Sequence, residues 1–252
     1  MTRPSDSVNV AFVQGASRGI GLEMVRQLSR AGMRVIGSCR SPATADALNA
    51  LAANEPDVDV IDLEATSEAS IARAAEKCAT LTRQVDILVN TAGFLHAGSL
   101  KPERRLAAVT SAQLSLSFAV NAIGPLLVAR YFESLLCRSK RAVFASLSAR
   151  VGSIADNRRG GWYGYRASKA AQNMFTKTLA IEWSRKNSPI ICLALHPGTV
   201  ATDLSAPFSA RLDPEKIFGV ERATSQLLDI ILGASQEDSG RFIAWDGQDI
   251  EW

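Results

Sequence analysis

Val8-Asn9-Val10-Ala11-Phe12-Val13-Gln14-Gly15-Ala16-Ser17-Arg18-Gly19-Ile20-Gly21 is the stretch that decides the fold. Its first half, residues 8–14, is a short apolar run suited to a buried strand. Three glycines follow within seven residues, and then Ile20, Met24, Val25 and Leu28 recur at helical spacing up to a stop at Gly32. Strand, glycine turn and helix in that order aim free backbone N–H groups and the positive end of a helix at a phosphate. The glycines permit the tight turn and let a pyrophosphate approach the backbone. Gly15, Ser17, Arg18, Gly19, Ile20 and Gly21 are therefore candidate dinucleotide ligands.

The same unit repeats along the chain. Further strands are expected over 33–38, 58–63, 85–89, 142–147, 189–195 and 241–244. Helices are expected from Pro42 to about Asn54 behind an N-cap at Ser41, from about Ser67 to Leu81, over 111–136, from Tyr165 onward, and over 214–232. Such alternation, with continuous apolar strands, gives an α/β fold: a doubly wound parallel sheet of about seven strands with helices on both faces. Ligands then bind beyond the carboxyl ends of the strands. The 252 residues suit a single domain; no linker, repeat or charge block divides them, and polar Met1 to Ser7 is expected to be a disordered tail.

Composition narrows the function. A net charge of +3 with scattered basic residues and 6% aromatics gives no nucleic-acid footprint. Polar Met1 to Ser7 lacks the apolar stretch expected of a signal peptide, and no apolar run is expected to approach membrane-spanning length. Cys39, Cys78, Cys137 and Cys192 lie far apart, which suggests buried, reduced thiols in a cytoplasmic protein. Two histidines leave little material for a metal site or a Ser-His-Asp hydrolase, so no metal is expected.

A second stretch, Gly160-Gly161-Trp162-Tyr163-Gly164-Tyr165-Arg166-Ala167-Ser168-Lys169, carries the chemistry. Tyr165 and Lys169 are four apart and share a helix face, whereas Tyr163 does not. A nearby ammonium favours phenolate, so Lys169 is expected to lower the pKa of Tyr165 towards the useful range. The strand ending at Cys39-Arg40 has no acid for a ribose 2′-hydroxyl. Arg18 and Arg40 instead suit a 2′-phosphate, so NADP(H) is the expected cofactor. Asn90-Thr91-Ala92-Gly93 and Pro197-Gly198 follow strands where cofactor lies. Pro125 is expected to kink the 111–136 helix beside Asn121 and free a carbonyl for water. Strand alternation puts Ser146 and Ser148 on one face. His96 is read as an exposed loop histidine and His196 as locally hydrogen-bonded. Residues 202–212 form a possible lid, and Arg158 and Arg159 are read as solvated, with attraction of an anionic substrate as the alternative. Trp245 and Trp252 can pack on the domain or on a partner subunit.

Together these motifs resemble the short-chain dehydrogenase/reductase family over nearly the whole chain. Gly15 to Gly21 is similar to the family's glycine motif, Asn90 to Gly93 to its Asn-Asn-Ala-Gly, and Tyr165 to Lys169 is its Tyr-x-x-x-Lys. The wording Gly152-Ser153-Ile154 through Tyr165-Arg166-Ala167-Ser168-Lys169 resembles the C-factor-like and sniffer-like carbonyl reductase branch. The resemblance implies a tetrad of Asn121, Ser148, Tyr165 and Lys169, with Tyr165 as general acid/base and Asn121 anchoring a water. It implies Asp62 with Leu63 beside adenine, Asn90, Ala92 and Gly93 near the adenosine ribose, and Val200 with Thr202 at the carboxamide and pyrophosphate. It implies a small carbonyl or alcohol substrate and a homodimer or homotetramer. Three departures stand out: Gln14 replaces the family's Thr, Thr91 its second Asn, and Ala149 its catalytic Ser. Ser148 is the expected substitute for that hydroxyl, with Ser153 or no serine as alternatives. The vacancy at 149 also admits an NADP(H)-binding regulatory protein with vestigial catalysis.

Overall fold

The structure, a computed structural model, describes residues 9–209 and 213–252. The expected amino-terminal tail, the first residue of the first strand and the end of the 202–212 segment lie outside them. The strands that meet in one sheet are β1 (Val10–Gln14), β2 (Arg34–Cys39), β3 (Val58–Asp62), β4 (Ile87–Asn90), β5 (Ala142–Leu147) and β6 (Ile190–His196), followed near the chain's end by β9 (Arg241–Ala244). All pairs are parallel, in the order β3-β2-β1-β4-β5-β6-β9. The order reverses between β1 and β4, which places the switch-point crevice at their carboxyl ends.

Strand alternation sorts the core into two layers. Ala11 and Val13 of β1 join Met24, Val25 and Leu28 of helix α1 (Gly19–Arg30) on one face. That layer continues through Leu48 of α2 (Asp46–Asn54) and Leu227, Leu228 and Ile231 of α8 (Val220–Gly233). Val10 and Phe12 point the other way, onto α3 (Glu68–Leu81), α5 (Gly124–Leu136) and α6 (Tyr163–Arg185). Trp183 of α6 is fully buried there and donates its indole N–H to Glu133 at 2.9 Å. Asp86 ties the sheet's middle together, accepting from Val10 N at 2.7 Å and Ser139 Oγ at 2.6 Å.

Several elements differ from expectation. Ser41-Pro42 starts only a 3₁₀ turn, Pro42–Thr44, because Ala45 leaves the helical region (φ −96°, ψ 57°) before α2 begins. Residues 111–136 form one continuous helical span, as expected, made of α4 (Ser111–Phe118), a π turn (Ala119–Ile123) and α5, with right-handed helical dihedrals at each junction. In the π turn Gly124 N donates to Ala119 O, and Pro125, directly after it, has no N–H to offer the Asn121 carbonyl four residues back. By length and composition this span could cross a membrane, its best window averaging a hydropathy of 1.5. That corrects the expectation of no such run. In the fold 44% of the window is buried, with Val128, Ala129, Phe132, Leu135 and Leu136 against the sheet. The expected 214–232 helix, by contrast, is interrupted. A 3₁₀ turn (Pro214–Lys216) leads into β8 (Ile217–Phe218), which pairs with β7 (Thr199–Val200), and extended Gly219 then caps α8. Cys137 is exposed, unlike the other three cysteines. Trp245 packs edge-on against Phe218 at 4.6 Å and Trp252 stacks on Phe242 at 5.5 Å.

The Phe12 and Phe132 rings meet at 4.4 Å across the β1–α5 contact, both without solvent exposure. Phe132→Ala is expected to lower unfolding free energy by about 3–5 kcal/mol, read as a lower urea midpoint at unchanged m-value. A loss under about 1 kcal/mol would show that this layer is not packed as described.

Candidate active site

The glycine turn is built by steric necessity. Gly15 has φ +90°, and a Cβ there would stand 2.7 Å from Ala92 N. A Cβ at Gly21 would stand 2.2 Å from the Gly15 carbonyl oxygen. The two local departures in sequence prove to be complementary. Thr91 Oγ1 donates to the Gln14 and Gly15 carbonyls at 2.8 and 3.1 Å, and Gln14 Oε1 accepts from Ala92 N at 3.3 Å. Gln14 and Thr91 therefore hold the turn against the end of β4. Helix α1 opens at Arg18 with no side-chain cap, leaving its first N–H groups free to meet a ligand. Arg18 is 74% exposed and approaches Asp203 at 3.5 Å. Arg40 and Asp62 are exposed at the ends of β2 and β3, while Leu63 is buried and donates its N–H to Cys39 O. Asn90 is buried, donates to Ser146 Oγ at 3.1 Å, and keeps Oδ1 unpaired. Uncapped amides, an orphan amide oxygen and guanidinium groups along one sheet edge fit an anionic dinucleotide.

Helix α6 presents the second half of the site. Tyr165 and Lys169 are both buried, at 8% and 3% exposure. Lys169 Nζ donates to Leu147 O at 2.5 Å and Gln172 Oε1 at 2.9 Å, and lies 5.9 Å from the Tyr165 ring centroid. The expected lowering of the phenol's pKa is not what this geometry gives. Burial pushes Tyr165 up to about 12 and the Lys169 ammonium down to about 7. Desolvation of both groups outweighs their mutual effect because the ammonium is turned to the β5 carbonyl.

The other expected members of the tetrad are placed differently. Asn121 is fully buried in the π turn, where its amide clamps Phe94: Oδ1 accepts from Phe94 N at 2.7 Å and Nδ2 donates to Phe94 O at 2.8 Å. Nδ2 also donates to Ser168 Oγ, so the side chain fixes the loop after β4 to α6. Ser148 lines the cavity, but its hydroxyl donates to Asn173 Oδ1 at 2.6 Å. No hydrogen bond joins it to Tyr165 among the described residues. Strand alternation turns Ser148 towards α6 with Ser146, and extended Ala149 supplies a methyl to the cavity. Ser153 caps its own turn, accepting from Asp156 N at 3.0 Å.

A cavity of about 780 Å³ brings the two halves together, with Ile20 and Gly93 on one side and Tyr165 and Lys169 on the other. Pro197, Gly198, Val200 and Thr202 border it as well. A Cβ on Gly19 would lie 3.5 Å from Thr202 Cγ2, so the segment after β6 overlies the glycine turn. Gly198 (φ +78°) has Phe218 pressed against it, where a Cβ would meet the ring at 2.6 Å. His196 also borders the cavity. Its Nδ1 is buried without a partner, contrary to the expected local bond, and burial with the charge of Arg150 pushes its pKa down to about 4. His96 is half-buried rather than exposed; its Nε2–H donates to the carbonyls of Asp203 and Leu204 at 3.1 and 3.2 Å.

Sequence reading missed Glu103, and it held Trp162 and Phe208 only as members of the pocket-forming stretches ending at Trp162 and spanning 202–212. Trp162 adopts a left-handed conformation (φ 52°, ψ 44°) after two left-handed glycines and sets its ring 6.3 Å from that of Tyr165. Phe208, in the short helix α7 (Ala206–Ser209), packs on Trp162 at 5.0 Å. Glu103 is buried, takes Trp162 N on its carbonyl at 2.5 Å and Gly164 N on its carboxylate at 3.2 Å. It thereby places a negative charge at the start of α6. The Gly-Gly pair was the legible signal for Trp162; nothing near Glu103 in sequence marks it.

A sequence model of the family described as short chain dehydrogenase matches residues 9–213. The chain belongs to that family. C-signal of Myxococcus xanthus is 32% identical over 171 residues, covering 68% of this chain and 95% of that protein. The carbonyl reductase Sniffer of D. melanogaster superposes with a TM-score of 0.87 at 26% identity, covering 97% of this chain and 100% of that one. The NADPH-bound carbonyl reductase from chicken fatty liver gives 0.86 at 30% identity, covering 97% and 99%. This short-chain dehydrogenase therefore sits in the C-factor-like and sniffer-like branch, and its relatives support NAD(P)-dependent oxidoreduction.

Lys169 gives a pH signature. Its folded pKa is near 7 and its unfolded pKa near 10.5, so between those values the unfolded chain binds more protons. Wild-type stability is expected to rise as pH goes from about 7 to about 10, whereas Lys169→Met should show a flatter slope there. Identical slopes in chemical denaturation would contradict the burial of a depressed lysine.

Proposed function

We propose that this short-chain dehydrogenase is an NADPH-dependent carbonyl reductase that converts a ketone or aldehyde to an alcohol, with Tyr165 as general acid. The observation that carries the reading is the shared cavity, bordered by the glycine turn at Ile20, by Tyr165 and Lys169, and by residues 197–202. When bound, the reduced nicotinamide supplies hydride. The glycine turn and the α1 amino terminus hold the pyrophosphate. Arg18 and Arg40 hold the 2′-phosphate, Asp62 and Leu63 the adenine, and Asn90, Ala92 and Gly93 the adenosine side. Val200 and Thr202, with Pro197 and Gly198, hold the carboxamide end.

Tyr165 keeps its proton at neutral pH because burial raises its pKa, so it enters the reaction as an acid and favours reduction. Its hydroxyl forms no hydrogen bond among the described residues, and substrate oxygen is the acceptor assigned to it here. Lys169, when charged, has three donors, two of which are spent on Leu147 and Gln172. The third is assigned to the nicotinamide ribose. Asn121 acts through its backbone carbonyl, which Pro125 cannot satisfy, as the anchor for a resupplying water. Its amide is fully occupied with Phe94 and Ser168.

Ala149 favours a second reading, a cofactor-binding regulatory protein with residual catalysis. Tight NADPH binding with no turnover over a broad carbonyl panel would select it. Tyr165→Phe is expected to reduce kcat by about 10²–10⁴-fold with NADPH affinity retained, measured by NADPH absorbance and fluorescence titration. Full activity in that variant would refute the role of Tyr165. Ala149→Ser restores a hydroxyl to the cavity wall and is expected to raise kcat by roughly ten- to a hundredfold. An unchanged or lower kcat would show that oxygen stabilisation does not depend on that position.

A further inference from the structure

The cavity around Tyr165 has an apolar wall and a cationic mouth. Trp162, Leu204 and Phe208 form the wall, with two aromatic rings edge to face at 5.0 Å. Arg150, Arg158, Arg159 and Arg166 line the mouth. Asp156 is the single acid among the described lining residues, and it leans towards Arg150 at 3.5 Å. Arg158 and Arg159 are exposed and have no hydrogen-bond or ion-pair partner among the described residues. Arg166 is held in place, its Nε donating to the carbonyls of Gly160 and Gly161 at 3.2 and 3.0 Å and Nη1 to that of Val151 at 3.4 Å. Nη2 is left for a ligand. Burial and the charge of Arg159 lower the pKa of Arg166, with Asp156 opposing them, so Arg159 and Arg166 repel one another. The cofactor does not account for them: Arg18 and Arg40 follow β1 and β2, whereas these four follow β5. Planar guanidinium forks match a carboxylate.

Resting on the carbonyl-reductase reading, we propose that the substrate is an oxo acid, with its reacting carbonyl at Tyr165, an apolar ring-sized body against Trp162 and Phe208, and a carboxylate at Arg158, Arg159 and Arg166. The anion relieves the repulsion in the mouth, and the apolar body displaces water from the wall. The test compares 4-formylbenzoate with its neutral methyl ester. The wild type is expected to favour the acid by about tenfold in kcat/KM, mainly through KM, with the preference shrinking at high salt. Arg158→Ala with Arg159→Ala should bring the acid-to-ester ratio close to one, and Arg158→Lys with Arg159→Lys should keep part of it. Equal kcat/KM for the two aldehydes in the wild type, or a ratio unmoved by the double alanine variant, overturns the proposal. A calorimetric titration of 4-(hydroxymethyl)benzoate and its methyl ester into the NADP-loaded protein gives a readout free of turnover. Acid-selective binding that the alanine pair removes supports the proposal; equal affinity in the wild type overturns it. Acid-selective binding without reduction of either aldehyde sinks the reductase reading and leaves the anion site standing.

Discussion

A lysine ammonium with 3% exposure needs partners inside the protein, and the position of those partners organises this site. Lys169 reaches the last carbonyl of β5 and the side chain of Gln172 one turn further along its own helix. That contact fixes α6 against the carboxyl end of the sheet, where a doubly wound fold binds its ligands. It also leaves Tyr165 buried, protonated and facing the cavity. Desolvation governs both groups, so the pair works as a retained acid beside a lysine poised near neutrality.

The helix carrying the pair starts under strain. Gly160, Gly161 and Trp162 are all left-handed, and a left-handed tryptophan costs about 1–3 kcal/mol. Glu103 offsets part of that cost by accepting the N–H groups of Trp162 and Gly164. The outcome is an indole set against Tyr165 and Phe208, which shapes the cavity from the side opposite the glycine turn. Asn121 contributes similarly from behind, since its amide pins the loop after β4 rather than facing substrate.

Much of this was legible in the sequence because it rests on local rules. Glycine spacing marked the first turn, apolar runs marked the seven sheet strands, and the four-residue interval marked Tyr165 and Lys169. What could not be read depends on long-range contacts. The phenol's pKa follows from burial, which spacing does not report. The hydroxyl of Ser148 is claimed by Asn173, 25 residues away. The β7–β8 pair needs Phe218 to meet Gly198, and Glu103 becomes important only when the chain returns 61 residues later. Gln14 and Thr91 each depart from the family pattern alone, and only the fold shows that they serve one turn together.

A crystal structure of the protein with NADPH tests the central claim most directly. The account predicts the nicotinamide ring inside the cavity, between Tyr165 and the 197–202 segment, with Lys169 Nζ at its ribose and the pyrophosphate over Gly15 to Gly21. A cofactor bound with its nicotinamide end away from Tyr165 and Lys169 would contradict it.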